Sequence, residues 1–108
     1  LASNEWAYLN EKTWYLFDDQ GTMVQGWAKV NDTWYYLDEV NGDMKTGWQM
    51  IGGVWYYLDE VNGDMKTGWQ MVNGVWYYLD PVSGAMRIGR VVIDGIWYVF
   101  DENGSWIG

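Results

Sequence analysis

Apolar positions alternate in short runs that are cut by two-residue turns, and this pattern recurs along the chain. In GWQMVNGVWYYLD, from Gly68 to Asp80, Asn73-Gly74 separates two five-residue stretches rich in Val, Trp and Tyr. Gly52-Gly53 and Asp94-Gly95 stand at equivalent points. Such pairs favour positive φ, the requirement of a tight hairpin turn, and no helical period competes. With Asn73 and Gly74 as the loop, Val72 should pair with Val75, Met71 with Trp76, Gln70 with Tyr77 and Trp69 with Tyr78. Side chains alternate along a strand, so Trp69, Met71, Trp76 and Tyr78 share one face, and Val72, Val75, Tyr77 and Leu79 the other.

The hairpin is one copy of a repeat. Gly26 to Thr46, Gly47 to Thr67 and Gly68 to Ile88 are three 21-residue copies. A fourth, Gly89 to Gly108, carries Arg90 and Val99 where the others have Trp and Tyr; an amino-terminal copy, about residues 5–25, has one extra residue in its first turn. A lone hairpin is marginal in water, so the repeats must stack to bury their faces. The expected fold is all-β, a β-solenoid of stacked hairpins with little conventional core. The five repeats (about 5–25, 26–46, 47–67, 68–88 and 89–108) form a single module over residues 1–108.

Composition adds a surplus to explain: 10 Trp and 9 Tyr in 108 residues. The chain has no His and no Cys, which excludes Ser-His-Asp and Cys-His catalysis. Adjacent carboxylates such as Asp38-Glu39 and Asp59-Glu60 fall at strand-to-turn junctions and read as solvated turn residues rather than an acid and a base. The same turns lack the spacing of a helix-loop-helix calcium site. No catalytic residue, metal or cofactor is expected. A net charge of −9 with six Lys and Arg argues against nucleic acid. No apolar run approaches the roughly 20 residues of a membrane span, and Leu1 to Asn4 resembles no charged and apolar leader, so the chain reads as a segment of a longer protein.

Two Trp seven residues apart and a Tyr recur on one face of each well-formed repeat. Rings gathered around a small gap attract a cation through their quadrupoles, at about 0.5–2 kcal/mol per good contact, and suit a quaternary ammonium such as choline. The surplus of carboxylates adds a favourable background potential. The middle tyrosines Tyr35, Tyr56 and Tyr77, on the face shared with Val and Leu, are assigned to structure.

The pattern of Gly-Trp, then Trp-Tyr-Tyr seven residues after the Trp, then Asp, Gly and Met, resembles the choline-binding repeats of pneumococcal-type surface proteins, autolysins and phage endolysins. The resemblance covers nearly the whole chain. It implies a left-handed solenoid in which two Trp of one repeat, a Tyr of the next and a Met enclose each ligand. Carried over, the boxes are Trp27, Trp34, Tyr57 and Met65; Trp48, Trp55, Tyr78 and Met86; and Trp6, Trp14, Tyr36 and Met44, the last with its Trp spacing altered by the extra residue. A fourth would use Trp69 and Trp76, but Val99 stands where the Tyr is expected and Trp106 where the Met is. Arg90 leaves Trp97 without a Trp partner, so no fifth box is expected and the last repeat is a cap.

The implied function is a non-catalytic module that holds a protein to the bacterial cell surface through choline or phosphocholine on wall teichoic acid, in an extracellular or secreted setting. Any catalytic domain would be an attached one. The alternative is a glucan or host-glycan module, since related repeats occur in glucosyltransferases and toxins. A sugar site needs hydrogen-bonding side chains beside its rings, and these boxes look poor in them. A homodimer, or a purely spacing role, is a further reading the sequence allows.

Overall fold

The computed structural model describes residues 5–9 and 13–108. The amino-terminal segment read as lacking a leader, and the turn at residues 10–12 that holds the extra residue, lie outside them. Ten five-residue strands form five two-stranded antiparallel sheets: β1 (Glu5–Leu9) with β2 (Thr13–Phe17), β3 (Gly26–Val30) with β4 (Thr33–Leu37), β5 (Gly47–Ile51) with β6 (Val54–Leu58), β7 (Gly68–Val72) with β8 (Val75–Leu79), and β9 (Gly89–Ile93) with β10 (Ile96–Phe100). Among the described residues there is no helix, and so none long and apolar enough to cross a membrane.

The pairing in β7–β8 is the one the turn predicts: Val72 with Val75, Met71 with Trp76, Gln70 with Tyr77 and Trp69 with Tyr78. Both turn residues take positive φ, 50° at Asn73 and 80° at Gly74, as do Gly52 with Gly53 and Asp94 with Gly95. Asn31 and Asp32 adopt the same conformation without a glycine, at 51° and 64°. In the first repeat Trp6 faces Leu16 and Tyr8 faces Trp14, the register in which Trp27 faces Tyr36 and Lys29 faces Trp34.

The chain divides into two compact units, residues 1–47 with 58–65, and residues 48–57 with 66–108. Within each unit the hairpins stack, joined by a repeated backbone bond. In the first, the amide of Met44 donates to the carbonyl of Trp14 and that of Met65 to Trp34. In the second, Met86 donates to Trp55 and Trp106 to Trp76. The residue after each linker thus docks on the second Trp of the preceding hairpin.

The core is distributed, with one side chain in each repeat essentially fully buried: Leu16, Leu37, Leu58, Leu79 and Phe100. In the second unit Tyr57 clusters with Val72 and Leu79, and Val91, Ile93 and Phe100 cluster under Trp69 and Tyr78. The Trp face of one hairpin, bearing Trp69 and Tyr78, therefore meets the opposite face of the next, bearing Val91, Ile93 and Phe100. Each strand-end Leu is worth about 1.5–3 kcal/mol of burial, so a core this thin depends on the repeats staying stacked.

Each linker is tightened by an aspartate. The Asp38 carboxylate accepts from the amides of Val40 and Asn41, and the Asp80 carboxylate from Val82 and Ser83. These backbone donors hold both carboxyls below the usual aspartate range, helped by Lys45 and Arg87 respectively.

Candidate ligand-binding site

Among the described residues, clefts lined by aromatic rings lie within each of the two units. The first, of about 560 Å³, is lined by Trp6, Trp14, Tyr35 and Met44, with Thr33, Val61, Asn62 and Asp64 at its edge. In the second unit, one of about 300 Å³ is lined by Trp48, Trp55, Tyr77 and Met86, with Glu102 and Asn103. The other, of about 350 Å³, is walled by Trp69, Trp76, Tyr98 and Trp106.

The paired Trp rings stand almost at right angles. Trp48 and Trp55 are 6.4 Å apart at 87°, Trp69 and Trp76 6.0 Å at 88°, and Trp27 and Trp34 6.3 Å at 89°. Edge-to-face contact is what two ring quadrupoles prefer. Here it leaves a corner in which a rounded group can touch two rings at once.

The tyrosine that closes each corner is the middle one of its run. Tyr35 packs on Trp6 at 5.0 Å, Tyr77 on Trp48 at 4.8 Å and Tyr98 on Trp69 at 5.0 Å. The expected tyrosines lie elsewhere. Tyr36, Tyr57 and Tyr78 each pack beside the first Trp of their own hairpin, at 5.1, 4.9 and 5.3 Å from Trp27, Trp48 and Trp69. The structure thus brings Trp48, Trp55 and Met86 together as expected but with Tyr77 in place of Tyr78. It brings Trp6, Trp14 and Met44 together with Tyr35 in place of Tyr36. Of the box expected at Trp27, it pairs Trp27 with Trp34 and bonds Met65 to Trp34, while Tyr57 lies against Trp48.

The reason is symmetry. When identical hairpins stack in one orientation, the Trp face of each must meet the other face of its successor, so the tyrosine supplied across the contact belongs to that other face. Face alternation within one hairpin was legible; its consequence for the neighbour supplies Tyr35 and Tyr77. It also revises the fourth box. Val99 is not a missing wall, because position 98 carries the tyrosine, and Trp106 adds a further ring 6.4 Å from Trp69 and 6.5 Å from Tyr98.

The polar complement is also larger than the sequence suggests. Asn62 and Asp64 edge the first cleft and Glu102 and Asn103 the Trp48 cleft, all from the repeat after the one that gives the tyrosine. On the Trp face of the second hairpin, Tyr36 donates to Glu39 at 2.5 Å; burial first, and that bond and the nearby carboxylates second, push its phenol up to about 12. Lys29 holds its ammonium 5.9 Å from the ring of Trp34. Trp97, on β10, is 65% exposed.

Comparison with known proteins gives the pattern a family. The model of the choline-binding repeat matches residues 3–46 and 45–90. None of the curated protein sequences matches the chain. Among solved structures, that of CbpF in complex with ipratropium superposes with a TM-score of 0.92 at 43% identity, over 96% of this chain and 33% of that one. CbpJ from Streptococcus pneumoniae also gives 0.92 and 43%, over 97% and 35%. The pneumococcal cell wall endolysin from phage Cp-1, complexed with choline, gives 0.76 and 34%, over 97% and 31%. The chain thus spans about a third of each of these structures. With the family model covering most of its length, the chain belongs to the choline-binding repeat family.

Proposed function

We propose that the five repeats act together as a non-catalytic choline-binding module, which holds the protein of which they are part to choline or phosphocholine on wall teichoic acid at the bacterial surface. The observation that carries the reading is the perpendicular pairing of Trp rings closed by a tyrosine. A trimethylammonium is round, has no hydrogen to donate, and presents cationic methyls to every ring it touches. A sugar ring presents a broad C–H face that stacks on a single exposed aromatic plane, so perpendicular walls serve it poorly. The endolysin from phage Cp-1 complexed with choline, 34% identical to this chain, supports the same reading.

The candidate binding residues are Trp6, Trp14, Tyr35 and Met44; Trp48, Trp55, Tyr77 and Met86; Trp69, Trp76, Tyr98 and Trp106; and the pair Trp27 and Trp34 with Met65. Catalysis, where the whole protein has it, would belong to a separate domain, as the chain lacks His and Cys. Nothing in the single chain supports a homodimer, and the reading does not include one.

Titration with choline and, separately, with dextran, followed by Trp fluorescence, tests the proposal. Saturable quenching or enhancement by choline alone is expected. A response to dextran and none to choline would overturn it in favour of a glycan module.

A further inference from the structure

The cleft of the first unit offers more than a trimethylammonium can use. At about 560 Å³ it has the capacity of a site for a ligand of many atoms, and clefts of roughly 300–1,000 Å³ commonly hold one. A quaternary nitrogen with its methyls fills only part of that space. It also makes no hydrogen bond, yet Thr33, Asn62 and Asp64 line the cleft beside the rings. A hydroxyl, a side-chain amide and a carboxylate together can both donate to and accept from the hydroxyls of a ligand.

Two of these groups are held in place by the turns that carry them. The backbone amide of Asn62 donates to the Asp59 carboxylate at 2.8 Å, and the next residue, Gly63, at φ +75°, sits against the side chain of Met44, where a Cβ would come within 2.9 Å of its terminal methyl. The turn is thus seated on a wall of the cleft. Thr33, at the start of β4, donates its hydroxyl to the carbonyl of Asn31 at a long 3.4 Å, and its oxygen lone pairs remain able to accept.

The first hairpin adds an aromatic surface beside the cleft. Tyr8 stands where the second and fourth repeats carry Lys29 and Met71, directly across from Trp14 on the same face. Its ring lies 5.2 Å from that of Trp14 at 51°, and both side chains are exposed. A sugar ring needs such a plane for its C–H face and polar groups for its edge. Resting on the reading of the boxes as ammonium sites, we infer that the first cleft binds choline together with the sugar ring that carries it. The ammonium lies against Trp6, Tyr35 and Met44, and the sugar stacks on Trp14 and Tyr8 with its hydroxyls on Thr33, Asn62 and Asp64. An acyclic polyol has no face to stack and would use the platform poorly.

The full chain provides the test, with the indole N–H resonance of Trp14, assigned through Trp14→Phe, reporting this cleft. The probes are methyl glucoside carrying phosphocholine on its primary hydroxyl and, as the sugarless control, methyl phosphocholine. The sugar-bearing probe should bind at least about fivefold more tightly, the worth of one net hydrogen bond. Asn62→Ala, Thr33→Val and Tyr8→Leu should each reduce that advantage and leave the affinity for methyl phosphocholine as it is. Equal affinities for the two probes, or an advantage that survives the three substitutions combined, would overturn the inference alone. If neither choline nor methyl phosphocholine shifts the Trp14 resonance, the ammonium reading of this cleft falls and takes the inference with it.

Discussion

The amide of Trp106 donates to the carbonyl of Trp76 at 2.9 Å, the bond that Met86 makes to Trp55 one repeat earlier. The backbone path is conserved from one repeat to the other while the side chain changes from a thioether to an indole, so Trp106 enters the box in the methionine's place. Replacing it tests whether the added ring matters. Trp106→Met should weaken choline at the Trp69 box by one cation–π contact, about 3- to 30-fold, and leave the Trp48 box unchanged. Site-resolved titration reads both at once.

The exchange of roles between neighbouring tyrosines gives a paired prediction. Tyr77→Leu removes a ring from the Trp48 box while retaining apolar bulk, and should lower choline affinity there several-fold with a modest loss of stability. Tyr78→Leu alters a side chain packed on Trp69 over Val91, Ile93 and Phe100, and should lower the melting temperature with less effect on the Trp48 box. Calorimetric titration and thermal melts of the two variants separate the outcomes; the opposite pattern would restore Tyr78 as the wall.

Much of this architecture was legible in the chain. The turn pairs specify the hairpins because few residues accept positive φ twice in succession, and the register of Trp69 with Tyr78 follows directly from Asn73-Gly74. The division of each hairpin into two faces was equally plain. Less accessible was which face of one hairpin meets which face of the next, since period-two alternation describes a strand and not its neighbour; that step moved the closing wall from Tyr36 and Tyr78 to Tyr35 and Tyr77. The edging residues Asp64 and Glu102 were out of reach for a further reason, as they come from two repeats away.

Lys29 is a tethered cation beside a ring of the second repeat. Its counterparts in the third and fourth repeats are Met50 and Met71, so Lys29→Met substitutes what those two repeats use. Removing a like charge 5.9 Å from the Trp34 ring should strengthen choline at the Trp27 and Trp34 pair by about two- to fivefold, with the gain shrinking at high salt. An unchanged affinity in low-salt titration would mean the ammonium is directed away from the ligand.

Stability should fall at both ends of the pH range, for opposite reasons. Asp38 and Asp80 have lowered pKa values in the folded chain, so their contribution is complete above the ordinary aspartate range, near pH 4, and is lost as pH falls through the folded values. Tyr36 is raised to about 12, so its contribution is complete below about pH 10 and is lost as pH rises from there towards 12. Melting temperatures across pH should trace a plateau with both shoulders, and Tyr36→Phe should flatten the alkaline one.

Gly104 joins two repeats sterically. Its φ is +87°, and a Cβ there would run into the side chain of Met86, a wall of the Trp48 box. Gly104→Ala should cost about 1–3 kcal/mol of stability, measured by denaturant unfolding, and should also disturb choline at the Trp48 box by displacing Met86. Asp32→Gly should do the reverse, relieving the left-handed strain of a turn that lacks a glycine for a gain of about 0.5–1 kcal/mol.

Because the walls of the Trp48 box are drawn from three successive repeats, the array has boundary effects. Shortening the chain by its last repeat would remove Tyr98 and Trp106 from one box and strip Glu102 and Asn103 from the box before it, so a single deletion is felt at two addresses. A repeat stacked on the fifth would do the converse, closing a further corner and edging the Trp69 box in the same way. For such an array, reach and grip change together with the number of copies.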